Sequence, residues 1–366
     1  MKWNWQQKDW PNFSYDKNQI QKLEEEFLYQ TGLLVGAYSH LSQEHQSSLI
    51  ATLLSNEALK TSEIEGEYLD RNSVQSSVMK HFGLQVQNYK VPAAERGIAE
   101  MMIDLYTNYA EKLSKDSLGK WHAMITSGRV DIKNSGTYRS DSEVMQVISG
   151  PIHKPKIHFE APSSETIPHE MKLFINWFNN TSKSHSGPLS PLIRAGIAHL
   201  YFVSIHPFED GNGRIARALA VKSLASSTNQ PVLIALSDTI IKNKKTYYSM
   251  LEASNKNNQI TKWLLYFSKT IIEAQKNSIE LIEFIIKKTK FFDKFGNKLN
   301  DRQKKIIIRI FAEGPHGFEG GLSADNYISI TKTSRATATR DLKDLLNKQM
   351  LLKKGERKST RYYLIM

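Results

Sequence analysis

The spacing of apolar residues constrains the fold of this chain more than any other feature, because it repeats at steps of three and four residues over most of the length. Between Gln46 and Glu65 it produces the apolar stripe of an amphipathic helix, for which Gly66 is a suitable end. Similar patterns predict helices over residues 93–112, 116–125, 165–179, 191–205, 242–255 and 260–288. The sequence therefore predicts a mainly α fold.

One interval departs from the helical period. The chain runs Gly136-Thr-Tyr-Arg, then alternates with a period of two from Val144 to Ile148, and continues with the turn sequence Ser-Gly-Pro. Alternation next to turn residues is typical of paired strands. We therefore expect a β-hairpin between Gly136 and Gly150.

The length of 366 residues exceeds the usual size of a single hydrophobic core. A change in composition over residues 291–300 (FFDKFGNKLN) predicts a domain boundary. We expect an N-terminal helical domain over residues 1–95, a catalytic core over 96–290 and a C-terminal domain over 296–366. In the last part, a helix, a Gly-rich break, two further helices and two β-like runs joined by Gly355 are typical of a winged helix-turn-helix.

The composition excludes several classes of chemistry. The chain has no cysteine, which excludes disulfides, thiolate nucleophiles and thiolate-bound zinc or iron–sulfur sites. Its first residues lack the apolar stretch of a signal peptide, and no run of about 18 apolar residues occurs, so we expect a cytoplasmic protein that does not enter a membrane. The net charge of +12 suits a polyanionic partner, but charge does not choose between nucleotides, nucleic acid and an acidic protein.

The segment from His206 to Arg217, HPFEDGNGRIAR, combines residue types that suit phosphate chemistry. Its glycines permit a tight turn whose backbone amides point at one spot, beside the N-terminus of the following helix, and such a nest binds anions. The residues expected around bound phosphates are Gly211, Asn212, Gly213, Arg214, Ile215, Ala216 and Arg217. Because the two arginines lie three residues apart, they can reach further phosphate oxygens.

Two side chains before this nest supply the remaining parts of a reaction. A single carboxylate at Asp210 suits a magnesium ion that keeps several waters and bridges phosphate oxygens. His206, four residues earlier, can accept a proton from an incoming hydroxyl. The segment therefore predicts a base, a metal ligand and an anion site.

Dinucleotide binding is an alternative interpretation of the same glycines. Gly211-x-Gly213-x-x-Ala216 fits the loose dinucleotide fingerprint, and the preceding AHLYFVSI can be a strand. Against this alternative, a loop rich in His, Pro, Glu and Asp would follow the strand at once, and no second βαβ unit comes after it. The sequence contains no Walker A loop, which argues against a conventional kinase or ATPase.

The segment also resembles the signature of the Fic family, H-P-F-x-[D/E]-G-N-G-R-x-x-R, at every specified position. The resemblance extends over residues 55–288, and the aromatic opening MKWNWQQKDWPNFSYD is similar to the N-terminal domain of one bacterial subgroup. It implies a helical Fic core with a β-hairpin flap. It also implies a protein adenylyltransferase, which moves AMP from ATP onto a Ser, Thr or Tyr hydroxyl of a target protein and of itself.

The resemblance implies roles for individual residues. His206 would deprotonate the target hydroxyl, and Asp210 would hold Mg²⁺. Asn212 and the nest amides would bind the α-phosphate, and the two arginines would bind the β- and γ-phosphates. Flap residues expected to align the target are Val147, Ile148, Ser149 and Gly150, and the residues that resemble nucleoside contacts are Tyr247 and Asn255. Relatives that transfer UMP or phosphocholine differ in the surrounding pocket, so the choice of nucleotide stays open.

Upstream, Thr61-Ser-Glu-Ile-Glu65-Gly66 resembles the inhibitory pattern of the family, [S/T]-x-x-x-E-[G/N]. A carboxylate at Glu65 that reaches Arg217 would occupy the cation needed by the γ-phosphate, so the resemblance implies a slow resting enzyme. Some Fic enzymes use such a glutamate to remove AMP, which leaves the reverse reaction open. Taken alone, this short pattern also fits a solvated acidic helix end.

A second hypothesis concerns the C-terminal domain. Its predicted recognition helix, residues 334–349, has Arg335 and Arg340 near its start, and the basic runs that follow suit phosphate contacts. The chain could therefore be a DNA-binding regulator whose core senses a nucleotide. Winged helices also mediate protein contacts, and the sequence decides neither this choice nor whether the chain forms a homodimer.

Overall fold

The computed structural model describes residues 2–86, 90–141, 144–151, 155–182, 188–314, 317–318 and 320–365. Helices account for most of these residues, which confirms the prediction of a mainly α fold. Within the same residues, no helix is long and apolar enough to cross a membrane.

The chain divides into two compact units, residues 1–36 with 42–278 and residues 37–41 with 279–366. The helices that lie wholly or partly in the first unit are α1 (Lys17–Ser39), α2 (Gln43–Ile64), α3 (Arg71–His81), α4 (Ala93–Thr107), α5 (Lys115–Ile125), α6 (Ile167–Asn180), α7 (Pro191–Ile205), α8 (Asn212–Thr228), α9 (Leu236–Lys242), α10 (Lys244–Ser254) and α11 (Thr261–Phe295). The predicted N-terminal helical domain thus shares one compact unit with the predicted core, and the three-part division of the sequence stays a prediction.

Helices α7 and α8 pack against each other at the centre of the first unit. The sequence of α7, PLIRAGIAHLYFVSI, is apolar around most of its circumference, so the helix is buried on all sides. Its first turn is capped from another helix, because the Glu24 carboxylate of α1 accepts hydrogen bonds from Leu192 N (3.0 Å) and Ile193 N (3.1 Å). The loop from His206 to Gly211 is therefore held at both ends by buried helices.

This arrangement rules out the dinucleotide interpretation. The stretch AHLYFVSI, which that interpretation requires as a strand, lies inside α7. A short apolar run cannot be assigned to a strand or to a buried helix by its periodicity alone. The glycines of the segment therefore follow a helix, and they do not close a strand–turn–helix unit.

The β-hairpin exists, but the prediction placed it wrongly. Strand β1 (Gln146–Ser149) pairs antiparallel with β2 (Lys156–Glu160), downstream of the predicted partner. In the Ser-Gly-Pro sequence, Ser149 is therefore the last residue of β1, and Gly150 begins the connection to β2. We had expected this sequence to end the hairpin. The segment from Gly136 to Arg139 forms no strand, because the Gly136 amide and the Arg139 side chain are bonded to other parts of the first unit.

The second unit has its own core. Its elements after α11 are α12 (Asp301–Ala312), α13 (Ala324–Thr331), α14 (Arg335–Asn347), β3 (Leu351–Lys354) and β4 (Arg361–Leu364), and the last two pair antiparallel. Phe284 and Phe291 of α11 lie in one apolar cluster with Ile306, Ile310 and Leu342. Because the second half of α11 contributes to this core, the units divide after Ser278, ahead of the predicted boundary at 291–300. The order of elements is the predicted one, and the winged-helix interpretation stays a prediction.

The close packing of α4 on α5 predicts a difference between two helix glycines. A Cβ at Gly97 of α4 would overlap the Met124 carbonyl of α5, whereas a Cβ at Gly32 of α1 would meet open space. Gly97→Ala should lower the free energy of unfolding by roughly 1–3 kcal/mol, through forced displacement of packed backbone. Gly32→Ala should raise it by about 0.5–1 kcal/mol, since alanine loses less backbone entropy in a helix. Thermal unfolding of both variants checks this, and equal shifts would contradict the packing.

Candidate active site

His206 is the C-terminal cap residue of α7. Its backbone is left-handed (φ 53°, ψ 58°), which is uncommon for a residue with a side chain, and Pro207 prevents the helix from continuing. The ring Nδ1 lies 3.2 Å from Val203 O. Because a carbonyl oxygen can only accept, Nδ1 carries the proton and Nε2 keeps its lone pair. His206 therefore presents a basic nitrogen.

The environment keeps this ring neutral. Burial lowers the pKa of His206 to about 4, and the nearby Arg139 guanidinium also lowers it, although the bond to Val203 O acts in the opposite direction. At neutral pH the imidazole is therefore ready to accept a proton.

Two buried side chains fix the loop after His206. Arg139 donates from Nε to His206 O (2.9 Å) and from Nη2 to Pro162 O, so one guanidinium joins this loop to the chain after β2. Phe208 is fully buried and stacks on the ring of His122, with centroids 4.1 Å apart and an interplanar angle of 7°. Phe208 thus anchors the loop by packing into the core. Sequence reasoning missed His122, which carries no local motif.

The backbone at the start of α8 has the form expected of an anion nest, but the side chain of Asn212 makes other contacts than the predicted ones. Gly211 has φ 78° and forms the N-cap of α8, where Asn212, Gly213 and Arg214 are the first helical residues, with amides that have no acceptor within the helix. The side chain of Asn212 is bonded to Phe208 N and Phe208 O, at 3.0 and 2.8 Å. Only its backbone amide is therefore available to an anion in this arrangement.

Ile215 and Ala216 contribute no side chain to the site. Both are fully buried, and Ile215 N donates to Gly211 O at 3.0 Å. Their part in the site is to bury the helix that carries the two arginines.

Asp210 lies between positive groups. Its Oδ2 is 3.0 Å from Arg129 Nη1 and 3.4 Å from Arg214 Nη2, and its Oδ1 accepts from Gly211 N. Although burial alone would raise it, the pKa of Asp210 is lowered by these partners, Arg214 first, so the carboxylate is charged at neutral pH. Within the described part of the chain, no group of three or more His, Asp or Glu side chains could hold a metal ion alone. A lone carboxylate fits a magnesium ion that takes its other ligands from water and phosphates.

Arg217 is buried and paired with the predicted inhibitory segment. Its Nη2 lies 2.7 Å from Glu65 Oε1, its Nε donates to Thr61 Oγ1 (2.8 Å), and its Nη2 also donates to Thr61 O (2.9 Å). A Cβ at position 213 would overlap the Glu65 carboxylate, so this approach requires Gly213. The structure therefore brings Thr61, Glu65 and Arg217 together as the sequence pattern suggested. Gly66, with φ 87°, turns the chain after the helix.

A second carboxylate of the same segment was missed. Glu67 Oε2 lies 2.6 Å from Arg214 Nη1, and the Arg214 side chain is almost fully buried. Both arginines of the motif are thus paired with glutamates from one turn, Glu65-Gly66-Glu67. The sequence Glu-Gly-Glu, with an acidic residue on each side of Gly66, was the signal from which Glu67 could have been predicted.

The predicted nucleoside contacts are placed unequally. Tyr247 is 1% exposed, and its hydroxyl is bonded to His199 Nε2 (2.8 Å) and Arg217 Nη1 (3.5 Å). Its neighbour Tyr248 is 39% exposed, with its hydroxyl 3.4 Å from Glu65 Oε2. Asn255 is buried beyond the end of α10. Of the two tyrosines, Tyr248 is the accessible one, and adjacent identical residues gave the sequence no means of choosing between them.

The predicted flap residues lie on β1 and just after it. Val147, Ile148, Ser149 and Gly150 are all exposed, and Ile148 is 55% exposed. The hairpin is also bonded to α10, because His158 of β2 lies 2.6 Å from Ser149 Oγ through Nε2 and 2.7 Å from Glu252 Oε2 through Nδ1. An exposed apolar strand edge is thus tied to the helix that carries Tyr248.

Two sequence-family models match separate parts of the chain. Residues 112–224 match the sequence model of the Fic/DOC family, and residues 3–84 match a domain of unknown function, DUF4172. The chain contains a Fic/DOC family domain. The residues that match the second model, 3–84, include the whole Glu65-Gly66-Glu67 turn.

Curated relatives resemble parts of this chain. Protein adenylyltransferase fic-1 of Caenorhabditis elegans is 29% identical over 145 residues, which cover 40% of this chain and 25% of that protein. Protein adenylyltransferase Fic of Drosophila virilis is 36% identical over 85 residues, 23% of this chain and 16% of that protein. The matches thus span a quarter or less of the length of these relatives.

Solved structures show the same fold at low identity. A Fic family protein from Desulfovibrio desulfuricans aligns with a TM-score of 0.53 at 18% identity, over 94% of this chain and 96% of that one. A Fic domain containing signaling protein from Bacteroides thetaiotaomicron aligns with a TM-score of 0.51 at 19% identity, over 72% and 94%. Fic-1 of C. elegans gives 0.52 at 19% identity, over 74% and 75%.

The neutral histidines predict a pH dependence of stability. Burial lowers the pKa of both His122 and His206 to about 4, below the value of about 6.5 for an unfolded chain. Between these values the unfolded state binds more protons, so stability should fall as pH drops from 6.5 towards 4. His206→Ala should reduce this slope by up to about 1.4 kcal/mol per pH unit. Urea unfolding at pH 7, 6 and 5 measures the slope, and pH 8 gives the pH-independent cost of the substitution. Equal slopes would contradict the buried neutral ring.

Proposed function

We propose that this Fic-domain protein transfers AMP from ATP onto a Ser, Thr or Tyr hydroxyl of a target protein, and onto itself. The observation that carries the proposal is the neutral His206, with Nε2 free to accept a proton, at one end of a loop whose other end is an anion nest. Two buried arginines follow within the first turns of α8. The names of the curated relatives support the same reaction.

The chain's own groups account for the steps. His206 Nε2 takes the proton of the target hydroxyl as its oxygen attacks the α-phosphorus, and the bond to the pyrophosphate leaving group breaks. The first-turn amides of α8 stabilise the charge that develops on the α-phosphate. Arg214 and Arg217 hold the β- and γ-phosphates. Positioning and charge neutralisation thus supply most of the catalysis.

Asp210 is the residue that would hold Mg²⁺. Bound there, the ion would neutralise phosphate oxygens and orient the triphosphate. In the present structure the Asp210 carboxylate is paired with the positive charges of Arg129 and Arg214. A magnesium ion would take the place of these charges beside the carboxylate.

The paired arginines make this arrangement a resting state. Arg217 is bonded to Glu65 and Arg214 to Glu67, so the triphosphate must displace two carboxylates to reach its cations. We propose that this competition slows the transfer. The same Glu65 could act on water in the reverse reaction, and the choice between ATP, UTP and CDP-choline depends on the nucleoside pocket. For that pocket, the exposed Tyr248 is a better candidate contact than the buried Tyr247.

The first prediction of this proposal concerns Glu65. Glu65→Gly should increase the incorporation of label from α-³²P-ATP into the chain, because it frees Arg217, and Glu65→Gly/His206→Ala should abolish the incorporation. Glu63→Gly is the matched control, since Glu63 lies in the same helical turn but pairs with Lys60 and is not bonded to Arg217. We expect at least a tenfold increase for Glu65→Gly, on the order of 1.4 kcal/mol of freed binding, and none for Glu63→Gly.

Each outcome of this experiment has a meaning. Label from γ-³²P-ATP would indicate a kinase and would overturn the proposal. Equal incorporation by wild type and Glu65→Gly would show that Glu65 is no brake, while leaving the transfer itself in place. If neither labelled form of ATP gives incorporation, ATP is not the donor, and UTP, CDP-choline or the second candidate function should be tested.

The second candidate function is binding of double-stranded DNA by the second unit. Its supporting observation is the face of α14: Ala338, Leu342 and Leu345 are buried, while Ser334, Arg335, Ala336, Thr339, Arg340 and Lys343 are exposed. On β3, Lys353 and Lys354 are exposed as well. A basic helix face beside a basic hairpin suits the phosphates of a duplex.

Charge-matched variants test this candidate. Arg340→Ala/Lys343→Ala should weaken binding of a fluorescent DNA duplex and reduce its salt dependence, because phosphate contacts release counterions. Lys17→Ala/Lys22→Ala, which removes the same charge from α1, should change neither. Anisotropy titrations at two salt concentrations measure both quantities. Equal losses in the two variants would indicate non-specific attraction to a basic protein.

A further inference from the structure

The first residues of the chain contact three parts of the candidate site, although no role follows for them from the Fic motif. We call residues Trp3–Gln7, which contain the short 3-10 turn Asn4–Gln6, the N-terminal clasp. They lie in the first unit, with the Fic core. Their contacts reach the end of α7, the base of the hairpin and the end of α10.

Asn4 joins two of these parts. It is fully buried, its Nδ2 donates to Ser204 Oγ (2.7 Å), and its backbone N donates to Asn255 O (2.7 Å). Ser204 lies in the last turn of α7, two residues before His206. Asn255 follows α10, the helix that carries Tyr248. A buried amide with these partners is costly to remove, so the clasp holds the two helix ends at a defined separation.

Two tryptophans join the clasp to the hairpin. Trp5 Nε1 donates to the carbonyl of Glu160, the last residue of β2, at 2.7 Å. The Trp3 ring meets the Phe159 ring edge to face, with centroids 5.4 Å apart. Phe159 is buried, and its ring centroid lies 6.4 Å from that of His206. The clasp therefore supports the strand that faces the proposed base.

The hairpin needs such support. Two strands alone are marginally stable, and their exposed β1 edge receives no third strand in the described chain. The base of the hairpin is held on one side by Arg139, which donates to Pro162 O, and on the other by Trp5, which donates to Glu160 O. These two bonds attach the end of β2 and the residues after it to the clasp and to the loop that follows His206.

We propose that the N-terminal clasp is a positioning element for the transfer reaction, which sets the hairpin at the distance from His206 at which a target hydroxyl is aligned. The proposal rests on the proposed function above. It assigns a task to the beginning of the uncharacterised family match, residues 3–84. Because small displacements of reacting groups reduce rates strongly, the contacts between the clasp and the hairpin act on the rate of transfer and not on the affinity for ATP.

Trp5→Phe in the Glu65→Gly background tests the proposal in the full chain. It removes the indole N–H that reaches Glu160 and keeps an aromatic ring. Trp10→Phe is the matched control, because Trp10 Nε1 donates to Glu170 Oε2 of α6 (3.0 Å), away from the hairpin. Trp5→Phe should lower the maximal rate of auto-modification about three- to tenfold, which corresponds to about 0.7–1.4 kcal/mol, the size of one net hydrogen bond. The ATP concentration at half-maximal rate should not change, and Trp10→Phe should keep both values.

Hydrogen exchange of the β1 and β2 amides gives a readout that does not depend on activity. Trp5→Phe should accelerate their exchange, whereas Trp10→Phe should not. Equal effects of the two variants on rate and exchange, or a raised ATP requirement in Trp5→Phe alone, would overturn the proposal. The remaining outcome is that Trp5→Phe accelerates hairpin exchange while the Glu65→Gly parent incorporates no label. This outcome would overturn the proposed function and would leave the link between clasp and hairpin standing.

Discussion

The guanidinium of Arg217 is a positive charge in the interior of the protein, and the surrounding structure is arranged to meet that charge. An isolated buried cation costs several kcal/mol, so it must be paired and hydrogen-bonded. Thr61 supplies a hydroxyl and a carbonyl, Glu65 supplies a carboxylate, and Tyr247 supplies a hydroxyl. These contacts attach α2 to α8 and fix where the loop between α7 and α8 can lie.

The same requirement accounts for the proposed resting state of the site. In the proposed reaction, a phosphate group would replace the Glu65 carboxylate at Arg217 and the Glu67 carboxylate at Arg214. Without either anion, Arg217 would lose its carboxylate partner and Arg214 would keep only Asp210, at 3.4 Å, so the glutamates stabilise the folded protein in the absence of nucleotide. The close approach of Glu65 to Gly213 adds a steric element, because the carboxylate occupies space over the first turn of α8. Stability and the proposed inhibition therefore depend on the same contacts.

Much of the fold could be predicted because it follows from local pattern. Helix α7 begins at Pro191 and ends at Ile205, as predicted, since a proline at the start and His-Pro at the end fix both limits. The hairpin was displaced because a turn sequence does not say whether it opens or closes a pair of strands, and the partner strand lay downstream. Tyr247 and Tyr248 could not be separated because the helix phase that buries one of them is set by tertiary packing. His122 and Arg129 carry no motif at all and reach the site only through the fold.

The division into sequence families does not follow the physical site. Residues 3–84 match one family and residues 112–224 another, yet the first match contacts the second at both ends of the loop. At its beginning, Asn4 reaches Ser204 beside His206, and at the end of α2, Glu65 reaches Arg217. A Fic domain cut at its sequence limits would lack the two glutamates with which its arginines are paired. It would also lack the residues that support the base of its hairpin. The N-terminal segment is therefore physically part of the candidate site, with one end beside the proposed base and the other on the arginines proposed to bind phosphate.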